Sequence, residues 1–518
     1  MPTKKKPMRT TDLASEVGAK HTLRIIVGYG AVVVAAVVLF LWMRSLGAEL
    51  VAPAPVLHQQ LYGQAAETRK LDTLLHVLLA LAVVILAARA VGFVFRRLGQ
   101  PPVIGEVIAG IFLGPSLLGH FWPAASAYVL PQGIAPFISV IAQIGVILYM
   151  FLVGVELNPS HLRRSPNAVL AISLSSIAVP FLLGSALSLF LYPIFATSDV
   201  PFAVFFLFMG ISMSVTAFPV LARILTDRGM HRSQLGAMAL TCAAVGDAAA
   251  WCLLAFVVSV AKANMDDAVR TLALSLVFLA FVLLVVRRLV RRVARREEGK
   301  AETSQGTMGM IFVALLLSAF AAEWIGIHAL FGAFILGATV PHDSALARNL
   351  TRQLRDVAVV FFLPAYFAFT GMRTDIGLVT GIEQWLMCGL IVVVASLGKF
   401  GGSFLAARVA GLRWRESAAL GILMNTRGLM ELIVLNIGLD LKVLSPTLFA
   451  ILVLMAIITT VATTPILDRL NRDRSLLDSV EDGSSEKVTT LPILDRVSRD
   501  RSPIGNVERK EREQVANV

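Results

Sequence analysis

The chain alternates between long apolar runs and short polar segments. Apolar spans fall at 23–46, 72–95, 102–119, 136–156, 168–191, 203–225, 235–260, 269–290, 308–325, 328–341, 357–372, 384–408, 417–437 and 446–467, about 14 in all. A helix needs about 20 mostly apolar residues to cross a bilayer, so the pattern predicts an all-α polytopic membrane protein. The runs at 102–119 and 328–341 are short and broken by Pro and Gly.

Alternate loops carry the positive charge: Arg96 and Arg97; Arg163 and Arg164; Arg228 and Arg232; Arg287 to Arg296; Arg348, Arg352 and Arg355; Arg408, Arg413 and Arg415. The loops between them are poor in Lys and Arg. The positive-inside rule makes the arginine-rich set cytoplasmic. An even number of spans then puts both termini on that side, and the membrane expected is the plasma (inner) membrane. Span 23–46 has a long flank and only a weak cleavage site in "GAELVAPAP", so a retained anchor helix is expected rather than a signal peptide. The tail from 468 to 518 is charged and poor in aromatics, and reads as disordered or loosely helical. It repeats itself, "TTPILDRLNRDRS" from Thr463 and "TTLPILDRVSRDRS" from Thr489.

Composition agrees with this picture. Of 518 residues 57% are hydrophobic and 15% charged, against about a quarter charged in soluble proteins. A net charge of +12 would suggest nucleic acid in a soluble protein. Here the basic residues end apolar runs, so topology explains them and no nucleic-acid partner is expected. Cys242, Cys252 and Cys388 lie inside apolar runs, with neither disulfide nor metal-ligand spacing. The eight histidines are scattered without an HExxH. No cofactor is expected, and no GxGxxG follows the last span.

Two glycine-rich stretches recur in order. "GEVIAGIFLGPSLLG" from Gly105 matches "HALFGAFILGATVPH" from His328, aligning Gly114 with Gly337. Farther on, "ILYMFLVGVELN" from Ile147 matches "LPAYFAFTGMRTDI" from Leu363, aligning Gly154 with Gly371. Five segments follow: 1–71 with the extra helix, a first six-span unit at 72–260, a linking helix and basic loop at 261–307, a second six-span unit at 308–467, and the tail. The single linking span makes the shift between units odd, which inverts one against the other. Inverted repeats with a midplane site mark secondary transporters; small-residue packing between helices is the alternative reading.

Corresponding spans of the two units carry helix breakers. The first reads "GISMSVTAFPVLARIL", with Ser212, Ser214, Thr216 and Pro219; the second reads "GILMNTRGLMELIVLNIG", with Asn425, Thr426, Arg427 and Gly428. Pro219 removes a backbone donor and frees carbonyls. Exposed half-helix ends carry partial charges suited to a small ion, and Ser or Thr oxygens suit an alkali cation. Each segment alone also reads as a simple kink. Arg427 and Glu431, one turn apart, can pair, as a structural ion pair or in transport.

Asp247 stands alone in "LTCAAVGDAAAWCLLAF". A mid-membrane aspartate costs about 2.5–3.5 kcal/mol on insertion scales. Lys399, deep in "VVVASLGKFGGSFLAARVAG", is the opposite charge in the second unit. They read either as a mutual buried ion pair or as a carboxylate that binds a proton or a cation. Burial opposes ionisation of a carboxylate and a nearby cation favours it, so small changes decide which ion holds such a site.

"IAGIFLGPSLLG", "FLVGVELN", "SMSVTAFPVLARIL", "LTCAAVGDAAAW", "HALFGAFILGATVP", "LPAYFAFTGMRTDI" and "MNTRGLMELIVLNIG" cover most of 72–467. In this order they resemble the monovalent cation:proton antiporter-2 family, in the branch of plant cation/proton exchangers. The resemblance implies a 13-helix core of two inverted six-helix repeats with interrupted crossing helices, a dimerisation half and a transport half, homodimers and elevator-like alternating access. It implies exchange of K+ or Na+ for protons. The family's essential aspartate maps onto Asp247, its core Lys or Arg onto Lys399, and its crossing-helix threonine onto Thr216. Two features depart from the pattern: the extra span at 23–46, and Gly246 where members often carry an acid or amide. The missing acid favours one cation per proton. A gated potassium efflux system and a sodium-coupled solute carrier share the fold and stand as alternatives. "AVGD" also lies near the GxGD motif of intramembrane aspartyl proteases, but Ala244 replaces the first glycine and no partner Tyr-Asp pair occurs, while that chemistry needs two carboxylates.

Overall fold

A computed structural model describes residues 35, 38–39, 41–46, 73–156, 166–197, 200–230, 233–262, 265–299 and 303–471. Most of the expected first span and the tail beyond 471 lie outside these residues. Every regular element described is helical, since a segment in lipid must satisfy its own backbone.

In chain order the principal helices are α1 (Thr73–Arg97), α2 (Pro102–Leu113), α3 (Ala135–Glu156), α4 (Pro166–Phe195), α5 (Phe202–Ser214), α6 (Phe218–Asp227), α7 (Gln234–Lys262) and α8 (Met265–Phe281). Helix α8 runs on through a π-helical turn, Val282–Val286, into Arg287–Arg296. There follow α9 (Gln305–Ile325), α10 (Ala329–Thr339), α11 (Ala345–Asp356), α12 (Leu363–Met372), α13 (Gly381–Val409), α14 (Trp414–Met424), α15 (Leu429–Asp440) and α16 (Pro446–Asn471). Among the described residues ten helices are long and apolar enough to span a membrane, or eleven if the bent pair α14–α15 counts as one span. The expected count of 13 is therefore not reproduced by length alone, because α5 and α10 are short apolar helices. Exposed Leu, Val and Phe side chains cover the outer faces of α8 and α9, for example Leu276, Val277, Leu316 and Phe320, as lipid contact requires.

Three boundaries differ from the sequence expectation. The basic stretch Arg348–Arg355 is not a loop. It forms α11, which passes through a π-helical turn, Val357–Phe362, into α12. Ser344 caps it by accepting the Ala347 N–H at 3.1 Å, and Leu346, Leu350 and Leu354 bury one face. An amphipathic helix is invisible to a count of apolar runs. The second difference concerns Pro219. The chain breaks earlier, over Val215–Ala217, and Pro219 is the second residue of α6, where a missing N–H costs nothing because first-turn donors have no helical partner. Its side chain lies outside the described ones.

The third concerns the glycines. Helix α2 packs on α12, and α3 on α10. A Cβ on Gly371 would sit 2.2 Å from Val107 O and 2.7 Å from Ile111 N; one on Gly154 would sit 2.2 Å from Phe334 O and 2.8 Å from Ala338 N. A Cβ on Gly110 would meet Ala368 O at 2.2 Å, and one on Gly337 would meet Phe151 O at 2.1 Å. Each motif thus crosses to the other half of the chain, and the two crossings match atom for atom. Gly337 corresponds in space to Gly110, one helical turn before the Gly114 that sequence alignment selects.

Candidate functional site

Helices α4, α7, α13 and α16 pack around the two broken pairs, α5–α6 and α14–α15. Buried side chains from α4, α6, α7, α14 and α16, including Ile172, Leu221, Ala243, Leu423 and Leu467, form one apolar cluster. The break after α5 and the break after α14 meet inside it. The Ala217 N–H donates to Thr426 O at 3.1 Å, and Thr216 Oγ1 donates to Met424 O at 3.4 Å. Gly428 admits this crossing, since a Cβ there would lie 2.6 Å from Val220 Cγ2.

A helix that stops in an apolar interior leaves its last carbonyls unpaired and concentrates negative partial charge there. At the end of α5 these acceptors are matched by cations. Arg427 donates from Nη1 to Ser212 O at 3.0 Å and from Nη2 to Met213 O at 2.9 Å. Lys399 donates to Ser214 O, and to Ser176 O of α4 at 3.0 Å. Both cations are buried. Arg427 also pairs with Glu431 at 2.5 Å, both side chains fully buried, as their spacing suggests. Its own backbone is held by Thr460 of α16, whose hydroxyl accepts the Arg427 N–H at 2.9 Å and lies 3.0 Å from Arg427 O.

Asp247, on α7, is 2% exposed. Neither carboxylate oxygen has a hydrogen-bond partner at normal distance. Two positive features lie in electrostatic reach: the Lys399 ammonium and the Phe218 backbone N–H at the start of α6. The residue makes no direct bond to Lys399, whose donors go to carbonyls, although the two charges interact across the intervening space. The two half-helix ends sort the charges, with the cations at the carbonyl end of α5 and the carboxylate facing the amide end of α6. Other buried oxygens near the breaks are also unpartnered: Ser212 Oγ, Asn425 Oδ1 and Glu431 Oε1.

Of the predicted residues, Ser214 and Lys399 are in direct contact, as are Arg427 and Glu431, while Thr216 and Thr426 lie in the same crossing through Met424 and Ala217. The hydroxyls of Ser214 and Thr216 donate to carbonyls, Ser214 to Gly210 O at 2.7 Å, which leaves their lone pairs available. Gly246 is buried, yet no atom lies within 4 Å of a Cβ placed on it. Sequence reasoning missed Thr460, although a threonine in the apolar run "AIITTVATT" was a signal. It also missed Tyr149 of α3, in electrostatic reach of Asp247. Among the described residues no group of three or more His, Cys, Asp or Glu side chains could hold a metal ion.

Residues 68–469 match the family described as sodium/hydrogen exchanger, transmembrane. The chain is 45% identical over 401 residues to a Na(+)/H(+) antiporter, NhaS4, of Synechocystis, covering 77% of this chain and 98% of that protein. It is 39% identical over 396 residues to Cation/H(+) antiporter 20 of Arabidopsis thaliana, and 32% identical over 394 residues to K(+)/H(+) antiporter 1 of Saccharomyces cerevisiae; these alignments cover 74% of this chain but only 47% and 45% of those longer proteins. The chain thus spans about half the length of these two relatives. Among solved structures, that of the sodium proton antiporter MjNhaP1 from Methanocaldococcus jannaschii superposes with a TM-score of 0.59 at 14% identity, over 78% of this chain and 99% of that one, a likeness of fold.

Proposed function

The chain belongs to the sodium/hydrogen exchanger family, a family of transporters and not of enzymes, and we propose that it exchanges a monovalent cation, K+ or Na+, for protons through Asp247. One observation carries this reading. A buried carboxylate with both oxygens unpartnered stands between a fixed ammonium and a helix amide end. Leaving a buried polar group unmade is costly, so such a group suits a site that an ion fills in turn. Proton and cation compete for the same oxygens, and exchange follows when the site opens to one side at a time. Ser214 and Thr216 supply further oxygens. Lys399 and Arg427 hold the α5 end in place, Glu431 compensates Arg427, and Asn425, Thr426, Pro219 and Gly246 shape the breaks. The single carboxylate at this point favours one cation per proton.

The reciprocal packing of α2 on α12 and α3 on α10 supports two inverted units, 72–260 and 308–467. The arginine-rich segments support cytoplasmic termini in a plasma-membrane protein, and the family resemblance supports a homodimer. The decisive experiment is reconstitution into liposomes. Imposed K+ or Na+ gradients release trapped protons with the native protein, and Asp247→Asn abolishes the release while still inserting. Undiminished exchange by that variant overturns the assignment.

A further inference from the structure

Helix α12 carries Tyr366 and Thr370, and Arg373 follows directly on its last residue, at spacings of four and three that continue one helix face. Helix α15 carries Asn436 and Asp440 one turn apart. These two faces meet. Arg373 Nη1 donates to Asn436 Oδ1 at 3.0 Å and Nη2 to Asp440 Oδ1 at 2.6 Å. Asn436 Nδ2 lies 2.8 Å from Thr370 Oγ1 and 3.4 Å from the Tyr366 hydroxyl. Asn436 is 7% exposed, and the Arg373 side chain 13%. The Arg373 guanidinium also stands 5.7 Å over the Phe369 ring, so three kinds of contact fix it.

The two helices belong to different neighbourhoods. Helix α12 is seated on α2 through Gly110 and Gly371. The other end of α15 is the break itself, where Arg427 grips the carbonyls of α5. A 12-residue helix transmits displacement along its length, about 18 Å at 1.5 Å per residue. Beside the polar contact lies a cavity of about 390 Å³, whose lining includes Arg373, Asn436, Asp440, Glu323 and His328. The far end of α15 is packed, with Ile437 and Leu439 in the core and Gly438 against Leu444 and Phe208, and the side-chain bonds add a polar tie on the face that borders this cavity.

We propose that Arg373 and Asn436 are positioning residues for exchange: by anchoring the far end of α15 to α12 they keep Arg427 aligned with the α5 carbonyls. This rests on the exchange reading above. Neither residue touches Asp247 or the α5 end, so their loss is expected to act on turnover more than on cation binding.

The test uses the full chain in proteoliposomes, with kcat and the KM for K+ and Na+ measured together. Arg373→Gln is expected to lower kcat at least fivefold with KM within twofold of native. Arg373→Lys, which keeps the charge facing Asp440, is expected to recover at least half of the native rate. Thr370→Val, a mild change that removes only one partner of Asn436, is expected to lower kcat two- to fivefold, and it serves if Arg373→Gln does not fold. A raised KM with native kcat would make Arg373 part of the ion path and overturn the proposal. So would native kcat in both Arg373→Gln and Thr370→Val. If the native protein itself shows no cation-dependent proton flux, the exchange reading fails; native flux with unaffected variants defeats only the positioning role.

Discussion

Lys399 donates to the backbone carbonyl of Ser214, the last residue of α5, and not to Asp247. The lysine therefore serves the broken helix first. Replacing it with Met strands two buried carbonyls, Ser214 O and Ser176 O, each at about 1–3 kcal/mol. Lys399→Met is expected to lower the thermal midpoint of the detergent-purified protein by several degrees as well as abolish exchange. An unchanged midpoint would mean the carbonyls find other donors.

If Asp247 is the shared proton and cation site, competition there has a definite sign. A cation binds only the deprotonated carboxylate, so acid raises the apparent KM for cation and leaves the maximal rate for bound cation unchanged. In the range where protons outcompete, KM should rise about tenfold per pH unit for one competing proton. Cation titrations of dye-reported exchange between pH 6 and 9 read this slope. A slope near two would require a second carboxylate.

Gly246 offers the complementary test. With no atom within 4 Å of an added Cβ, Gly246→Ala and Gly246→Asn should fold with native thermal midpoints. Gly246→Asp adds a second acid beside Asp247 and should make exchange sensitive to an imposed membrane potential to which the native protein is indifferent. Equal response of both proteins would sink the one-to-one reading.

The opposite outcome is expected at Gly337, where a Cβ would lie 2.1 Å from the Phe151 carbonyl oxygen. Overpacking typically costs about 1–3 kcal/mol, and here the obstacle is backbone. Gly337→Ala should reduce the yield of folded protein and its thermal midpoint, as should Gly371→Ala, while Gly246→Ala does neither.

Much of this was legible in the chain. The long spans, both breaks, the isolation of Asp247 and the Arg427–Glu431 pair are written in residue types, because burying a charge or breaking an apolar helix is costly and stands out. What Lys399 holds was not legible. Its partners are carbonyls, which every residue has, so no spacing reveals them. Helix α11 was missed because an arginine-rich face masks its leucine row. Pro219 drew attention to the break but misplaced it, since proline is tolerated in a first turn and the freed carbonyls lie upstream, at Ser212 to Ser214. The glycine register slipped by one turn because Gly110 and Gly114 both fit the pattern and only contact with Ala368 tells them apart.

The backbone bond from Ala217 to Thr426 couples the two interrupted helices without any side chain. No substitution at Thr426 removes the accepting carbonyl, and only proline at Ala217 removes the donor, so this one bond does not depend on side-chain identity. On the exchange reading the two half-helix pairs would then move as one unit, with Asp247 beside them. Any bending during transport would then fall outside the crossing, in the segments that flank it.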